Sequence, residues 1–403
     1  MMIDKKFIEN SKSFCMAPWS HLHVTPKGDV FPCCLINNST SYLGNVKETP
    51  LKELWNSPKL KEIRLDMLKD IRHKSCSWCY EKEDAGGRPF RLDFNSKYQN
   101  DLNDVHSTLS DGTVNDVNMR YIDIRFSNIC NLKCRMCGPT FSSQWAKELN
   151  RSPAVYKLNA SMLNEVFSYL ETCEEIYFAG GEPLVMDEHY ILLEKLLELG
   201  VKPRIRYNSN TTQLKHKNWD ILELWSKFDD VYMQSSIDGF GSELNYIRHP
   251  AEYNNVIFTA KQYVSVPSVT LHISTCVAFW NVWSLPELQK DLFEKGIIKN
   301  YESFYTQCLI HPRWFSVKVL PKKLKEKITE KLTNHISWLK SKNVDIKNHK
   351  YVWDAVISTM NSSDDSHHWE SSGIKEIKKL DKIRNEDFTA SFPHLADMLD
   401  VKK

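Results

Sequence analysis

The stretch SNICNLKCRMCGPT, residues 127–140, carries Cys130, Cys134 and Cys137 in the spacing C-x3-C-x2-C. Three thiols are one too few to close a tetrahedral metal site, and an odd number cannot pair off as disulfides. The stretch begins at the end of YIDIRFS (121–127), an alternating apolar run that reads as a β-strand, so the thiols fall on the loop after it. In parallel α/β folds that end of a strand is where sites are built.

Five more strand candidates follow at intervals: EIYFAG (175–180), RIRYNSN (204–210), DVYMQSSID (230–238), SVTLHISTCVA (268–278) and SFYTQCLI (303–310). Helical stretches run between them, such as DEHYILLEKLLELG (187–200), with apolar residues three and four apart and Gly200 as a stop signal. The fold class is therefore α/β, and six strand–helix units over residues 120–310 suggest a partial (β/α)6 TIM-like barrel. An open doubly wound sheet gives the same periodicity.

Residues 1–94 read as a separate module, with short strands and turns around TPKGDVFPCC and a helix over 49–70. Residues 95–119 are polar without an apolar period and read as a linker. Residues 311–403 form a Lys-rich helical C-terminal extension, in which MNSSDDSHHWESSG (360–373) reads as a loop.

The chain has 403 residues, 41% of them hydrophobic, enough for a large core plus appendages. A formal net charge of +2 gives no basic field of the kind that marks nucleic-acid or acidic-membrane binding. No apolar run approaches a membrane span, and the N-terminus lacks the apolar core of a signal peptide, so a cytoplasmic location is expected. In that reducing setting, eleven cysteines point to metal or catalytic roles rather than disulfides.

A 4Fe-4S cluster held by three thiolates keeps one iron free of protein, and that iron can take a small chelating molecule. The other readings of the triplet are a zinc site completed by a distant residue and three unligated buried thiols. The motif CNLKCRMC resembles the cluster motif of the radical S-adenosylmethionine (SAM) superfamily, with Met136 where that superfamily often has an aromatic residue.

The resemblance extends along the chain. Gly180, Gly181, Glu182 and Pro183 resemble the segment that binds the SAM amino group; glycines allow close backbone approach, and Glu182 can accept from an ammonium. NSNTT (208–212) resembles a polar element of the family, with Asn208 and Asn210 as candidates. SSIDG, with Ser236 and Asp238, resembles the element near the SAM ribose and carboxylate. Arg248 in YIRHP falls where similar enzymes keep an arginine for the SAM carboxylate, and Asn281 is a weaker match after the fifth strand.

The N-terminal module supplies a second thiol set: Cys15, Gly28 and Cys33 as C-x12-G-x4-C, then Cys76 and Cys79 in CSWC. Four thiols can close a structural zinc site or hold a cluster completely. The pattern resembles the SPASM and twitch auxiliary-cluster modules, here placed before the barrel rather than after it. Cys34 is then a spare beside Cys33. His21 and His23 alternate in SHLHV and share one face of a strand.

The resemblance implies two 4Fe-4S clusters, one binding SAM and one auxiliary, and an electron donor such as flavodoxin or ferredoxin. It implies SAM cleavage to a 5'-deoxyadenosyl radical that abstracts a hydrogen atom from a peptide or protein side chain. The alternatives are dehydrogenation or epimerisation of a small molecule such as a sugar, and, from another class, a non-catalytic zinc-binding scaffold. For an epimerase, Cys308 or Cys276, late on their strands, is a candidate hydrogen donor.

Overall fold

Each of the six expected core strands forms, where β-branched and aromatic residues alternate with polar ones. The computed structural model describes residues 3–36, 39–84, 88–158, 160–344 and 346–399. With the N-terminal hairpin strands included, the strands are β1 His21–Val24, β2 Asp29–Phe31, β3 Gly44–Asn45, β4 Tyr121–Ile124, β5 Glu175–Phe178, β6 Arg204–Ser209, β7 Val231–Ser235, β8 Val269–Val277 and β9 Phe304–Cys308. Strands β4 to β9 with their intervening helices give the α/β succession of a partial (β/α)6 TIM-like fold, and helices follow to the C-terminus.

Two compact units divide the chain. The first comprises Met1–Ile129, Val155–Arg206 and Lys227–Asp230; the second comprises Cys130–Ala154, Tyr207–Ser226 and Val231–Lys403. In the first, β2 pairs antiparallel with β1 and β3, while β1 pairs parallel with β4 and β4 parallel with β5. The leading module thus adds its own strand to the first core strand, Leu22 lying opposite Ile122 and His23 opposite Asp123. In the second, β8 pairs parallel with both β7 and β9.

The helix expected over 49–70 is two helices, Leu51–Leu54 and Pro58–Leu68. Pro58 brings no N–H, and Ser57 caps the second helix by accepting from the Leu60 amide at 3.4 Å.

The stretch 95–119 is packed rather than a free linker. Val105, Val114 and Met119 are buried, the Trp19 indole donates to Thr108 Oγ1 at 2.8 Å, and Asn56 Nδ2 donates to the Val114 carbonyl at 2.9 Å. Its composition looked like a linker because single, widely spaced anchors leave no periodic trace. Residues 360–373 likewise form helical turns, Ser366–His368 and Trp369–Gly373, around the buried Trp369, whose ring lies 4.7 Å from that of Phe279.

Among the described residues no helix is long and apolar enough to cross a membrane.

Candidate functional site

Cys15, Cys33, Cys76 and Cys79 line one cavity in the first unit. Its remaining wall is mostly apolar, including Pro18, Ile63, Met67 and Phe90, with Arg91 as the cation. Arg91 is held by the Phe14 and Ser11 carbonyls and by Glu83. Burial pushes the Cys76 thiol up to about 12 and raises those of Cys15 and Cys79. These thiols lose their protons only against a bound cation, so loading the cavity releases protons. Cys34 is not part of the cavity wall, so the structure gathers the two cysteines of C-x12-G-x4-C with the two of CSWC and leaves out the spare.

The triplet lies in the second unit on the loop after β4, within a frame of hydrogen bonds between side chains and the loop backbone. The Cys130 amide donates to Ser143 Oγ at 3.3 Å, and Ser142 Oγ donates to the Leu132 carbonyl at 2.6 Å. The Trp145 indole donates to the Cys134 carbonyl at 2.7 Å. The Leu132 amide points at Cys130 Sγ at 3.4 Å, an N–H···S contact of the kind that steadies a ligating sulfur. Burial raises the Cys137 thiol to about 12 and raises Cys134 as well.

A tetrahedral zinc site holds its sulfurs about 3.8 Å apart, given zinc–sulfur bonds of about 2.3 Å. Among the described residues no three cysteine sulfurs lie within 4.8 Å of one another, whereas ligand atoms of Glu62, Asp66 and His73 do. An iron–sulfur cube spreads its thiolates more widely than a single ion.

An arginine that sequence reasoning passed over anchors the same loop. Arg135, between Cys134 and Cys137, has a fully buried side chain stacked 3.5 Å from the centre of the Tyr246 ring. Its Nη2 donates to Asp381 at 2.6 Å and to Glu386 at 2.5 Å, both in the C-terminal extension. Arg384, from the same extension, donates to Glu148 at 2.8 Å and lies over Trp145. The extension therefore clasps the cysteine loop through two buried guanidinium groups. The only sequence signal was a basic residue inside the cysteine motif.

In the first unit, the Gly180–Pro183 turn follows β5. A Cβ on Gly181 would lie 2.0 Å from the Ile129 carbonyl oxygen, and the Glu182 amide donates to that oxygen at 2.8 Å, so only glycine permits this approach. Glu182 is buried, and its Oε1 accepts from the Leu184 amide at 3.2 Å.

In the second unit, Asn210 Nδ2 donates to Asn131 Oδ1 at 2.7 Å, tying the NSNTT element to the cysteine loop. Asn208 Oδ1 is buried with no hydrogen-bond partner, an open acceptor of the sort a polar ligand fills. The Ser236 amide donates to the Ser209 carbonyl at 2.8 Å. Asp238 is fully buried: its Oδ1 accepts from the Cys276 amide at 2.7 Å, and its Oδ2 from Arg248 Nε at 2.7 Å. Asn281 closes the group by donating to the carbonyls of Asp238 and Cys276 at 2.8 and 3.0 Å.

Cys308 shares a strand face with Phe304 and Thr306. Phe304 stacks on Trp353, Thr306 Oγ1 donates to the Val352 carbonyl, and the Cys308 thiol meets Thr359, all on the helix Ile346–Asn361. Alternation puts Tyr305 and Gln307 on the opposite face, where Gln307 pairs in register with Cys276. That second face is polar and half-buried: Tyr232 and Gln234 on β7, and His272, Ser274 and Cys276 on β8. In the first unit, His23, Asp123, Arg125 and Tyr177 make a comparable polar group. His23 Nδ1 lies 3.0 Å from Asp123 Oδ2, Arg125 Nε donates to Asp123 Oδ1 at 2.5 Å, and the Arg125 guanidinium lies over Tyr177.

Glu243, at the start of the helix Ser242–Ile247, takes a hydrogen bond from Ser284 Oγ at 2.7 Å. Burial lifts its carboxyl from 4.5 to about 7. A carboxyl raised in the folded state contributes stability fully below its unfolded value, and that stability is lost as pH rises through the folded value. Glu243→Gln is therefore expected to remove a decline in urea midpoint between pH 4.5 and 7 that the wild type shows; parallel profiles would contradict this.

Residues 124–277 match the model of the radical SAM superfamily, and residues 15–80 match SPASM, an iron-sulfur cluster-binding domain. No curated protein matches the chain. Among solved structures, anSMEcpe with bound AdoMet is 18% identical, with a TM-score of 0.42 over 55% of this chain and 61% of that one. SuiB of Streptococcus suis bound to the precursor peptide SuiA is 17% identical, with a TM-score of 0.40 over 70% of this chain and 64% of that one. The chain thus spans about three-fifths of the length of these structures.

Proposed function

The chain belongs to the radical SAM superfamily, and from that premise we propose that it cleaves SAM reductively and uses the resulting radical to modify a peptide or protein side chain. The observation that carries this reading is the cysteine loop. Three thiols on one buttressed loop leave an iron of a 4Fe-4S cluster without a protein ligand, while four more line a separate cavity.

When bound, the cluster and SAM supply an electron and a 5'-deoxyadenosyl radical that takes a hydrogen atom from substrate. The protein's part is placement. Cys130, Cys134 and Cys137 would hold the cluster. Asn208 Oδ1 is an open acceptor for a donor on the ligand. The polar, half-buried residues Tyr232 and Gln234 on β7 and His272 and Ser274 on β8 supply hydrogen-bonding groups that suit a peptide.

The four-thiol cavity supplies a complete ligand set, so an auxiliary cluster there has no open iron to chelate substrate and serves electron transfer or the stability of the module. Cys33→Ser is expected to lower iron from about eight to about four per chain after anaerobic reconstitution, while Cys34→Ser keeps about eight. Equal iron in the two variants would contradict the ligand assignment. The electron enters from a small donor of the flavodoxin or ferredoxin class.

The test of the reading is anaerobic incubation of the reconstituted protein with SAM and a reductant. Formation of 5'-deoxyadenosine and methionine supports it. A colourless zinc protein that leaves SAM intact supports the scaffold instead.

A further inference from the structure

Arg248 faces a sulfur rather than an empty pocket. The backbone of 247–249 runs beside the cysteine loop, with the Lys133 amide donating to the His249 carbonyl at 2.8 Å and the Arg135 amide to the Ile247 carbonyl at 2.8 Å. These two bonds flank Cys134 and Arg248 and set them opposite each other. Arg248 Nη1 lies 3.8 Å from Cys134 Sγ, within reach of an N–H···S hydrogen bond. Both residues are buried, at 8% and 9% exposure, so little water screens the contact. The guanidinium is itself fixed, because its Nε is bound by Asp238 Oδ2, and Asp238 is fixed in turn by the Cys276 amide.

We propose that Arg248 is a positioning residue for the cluster rather than a SAM-carboxylate ligand. It donates to the ligating sulfur of Cys134, with Asp238 holding it in place, and so raises the cluster's reduction potential. A cationic donor on a ligating sulfur stabilises the more negative, reduced cluster more than the oxidised one. The protein thereby eases entry of the first electron before SAM is involved. This inference rests on the reading of the triplet as a cluster site.

The test is a redox titration of the anaerobically reconstituted full-length protein without SAM, followed by electron paramagnetic resonance. The component that shifts on later addition of SAM identifies the relevant cluster. Arg248→Met is expected to lower its reduced-to-oxidised ratio at fixed potential about tenfold, a midpoint shift of about 59 mV to the negative. Arg248→Lys is expected to recover part of that, keeping the charge but not the fork. A wild-type midpoint in Arg248→Met with weakened SAM binding overturns the proposal and returns Arg248 to the SAM carboxylate. Should Arg248→Met fail to load iron, a wild-type midpoint in Arg248→Lys overturns it equally. A wild-type protein with no SAM-sensitive cluster overturns the reading of the triplet itself, a separate and visible failure.

Discussion

Cys134→Ala is expected to reduce 5'-deoxyadenosine formation to the level of a protein-free control, while iron falls only from about eight to about four per chain. Cys134 is the most enclosed of the triplet, its carbonyl gripped by the Trp145 indole and its sulfur facing Arg248. Two thiolates cannot hold a cube with one free iron, because the second unligated corner is open to hydrolysis and loss. The four-thiol cavity draws its ligands from residues 15–79 and does not depend on the triplet, so its cluster stays. The split between iron content and turnover is the diagnostic feature. Loss of all iron would mean that the substitution unfolds the chain, and unchanged turnover would remove the triplet from the chemistry. In the same assay Cys308→Ala is expected to behave as wild type, since that thiol meets the helix Ile346–Asn361.

Arg135→Met carries the second large effect, and it acts on folding rather than on chemistry. The fully buried guanidinium is the common partner of Asp381 and Glu386, which keep 15% and 17% side-chain exposure. Breaking a buried ion pair by removing one partner costs about 3–5 kcal/mol. Here the lower end applies, about 3 kcal/mol, because the two carboxylates retain some water and keep Tyr246 and His249 as partners. The urea midpoint of the reconstituted protein is expected to fall, and hydrogen exchange to accelerate in the helix Ile374–Arg384 and in the cysteine loop together. An unchanged midpoint, or exchange confined to one of the two segments, would show that the clasp is not holding them.

That clasp illustrates what the sequence could and could not disclose. The triplet, the six core strands and the helix Asp187–Glu198 were legible because their signals are local: a spacing of three thiols, a period of two, a period of 3.6. The grouping of Cys15, Cys33, Cys76 and Cys79 around one cavity was legible because their spacings and intervening turns are characteristic. The link from Arg135 to Asp381 spans 246 residues and leaves no periodic trace in either segment.

The facing of Cys308 was equally hidden. Position on a strand fixes which residues share a face, but only the packing of Phe304 on Trp353 reveals which face turns to the helices. The contacts of Arg248 to Asp238 and to the Cys134 sulfur also left no mark in the sequence, since 10 and 114 residues separate the partners. The polar stretch 95–119 misled for a thermodynamic reason: composition reports how much apolar surface a segment can bury, not whether a few anchors such as Thr108 and Val114 suffice to hold it.

The most direct measurement uses the variant with Cys15, Cys33, Cys76 and Cys79 all replaced by Ala, so that any remaining cluster belongs to Cys130, Cys134 and Cys137. Its reduced electron paramagnetic resonance spectrum is recorded before and after SAM is added. A 4Fe-4S signal that changes shape with SAM, together with release of 5'-deoxyadenosine, is the predicted result. A cluster signal indifferent to SAM, or a protein that binds zinc in its place, would contradict the account.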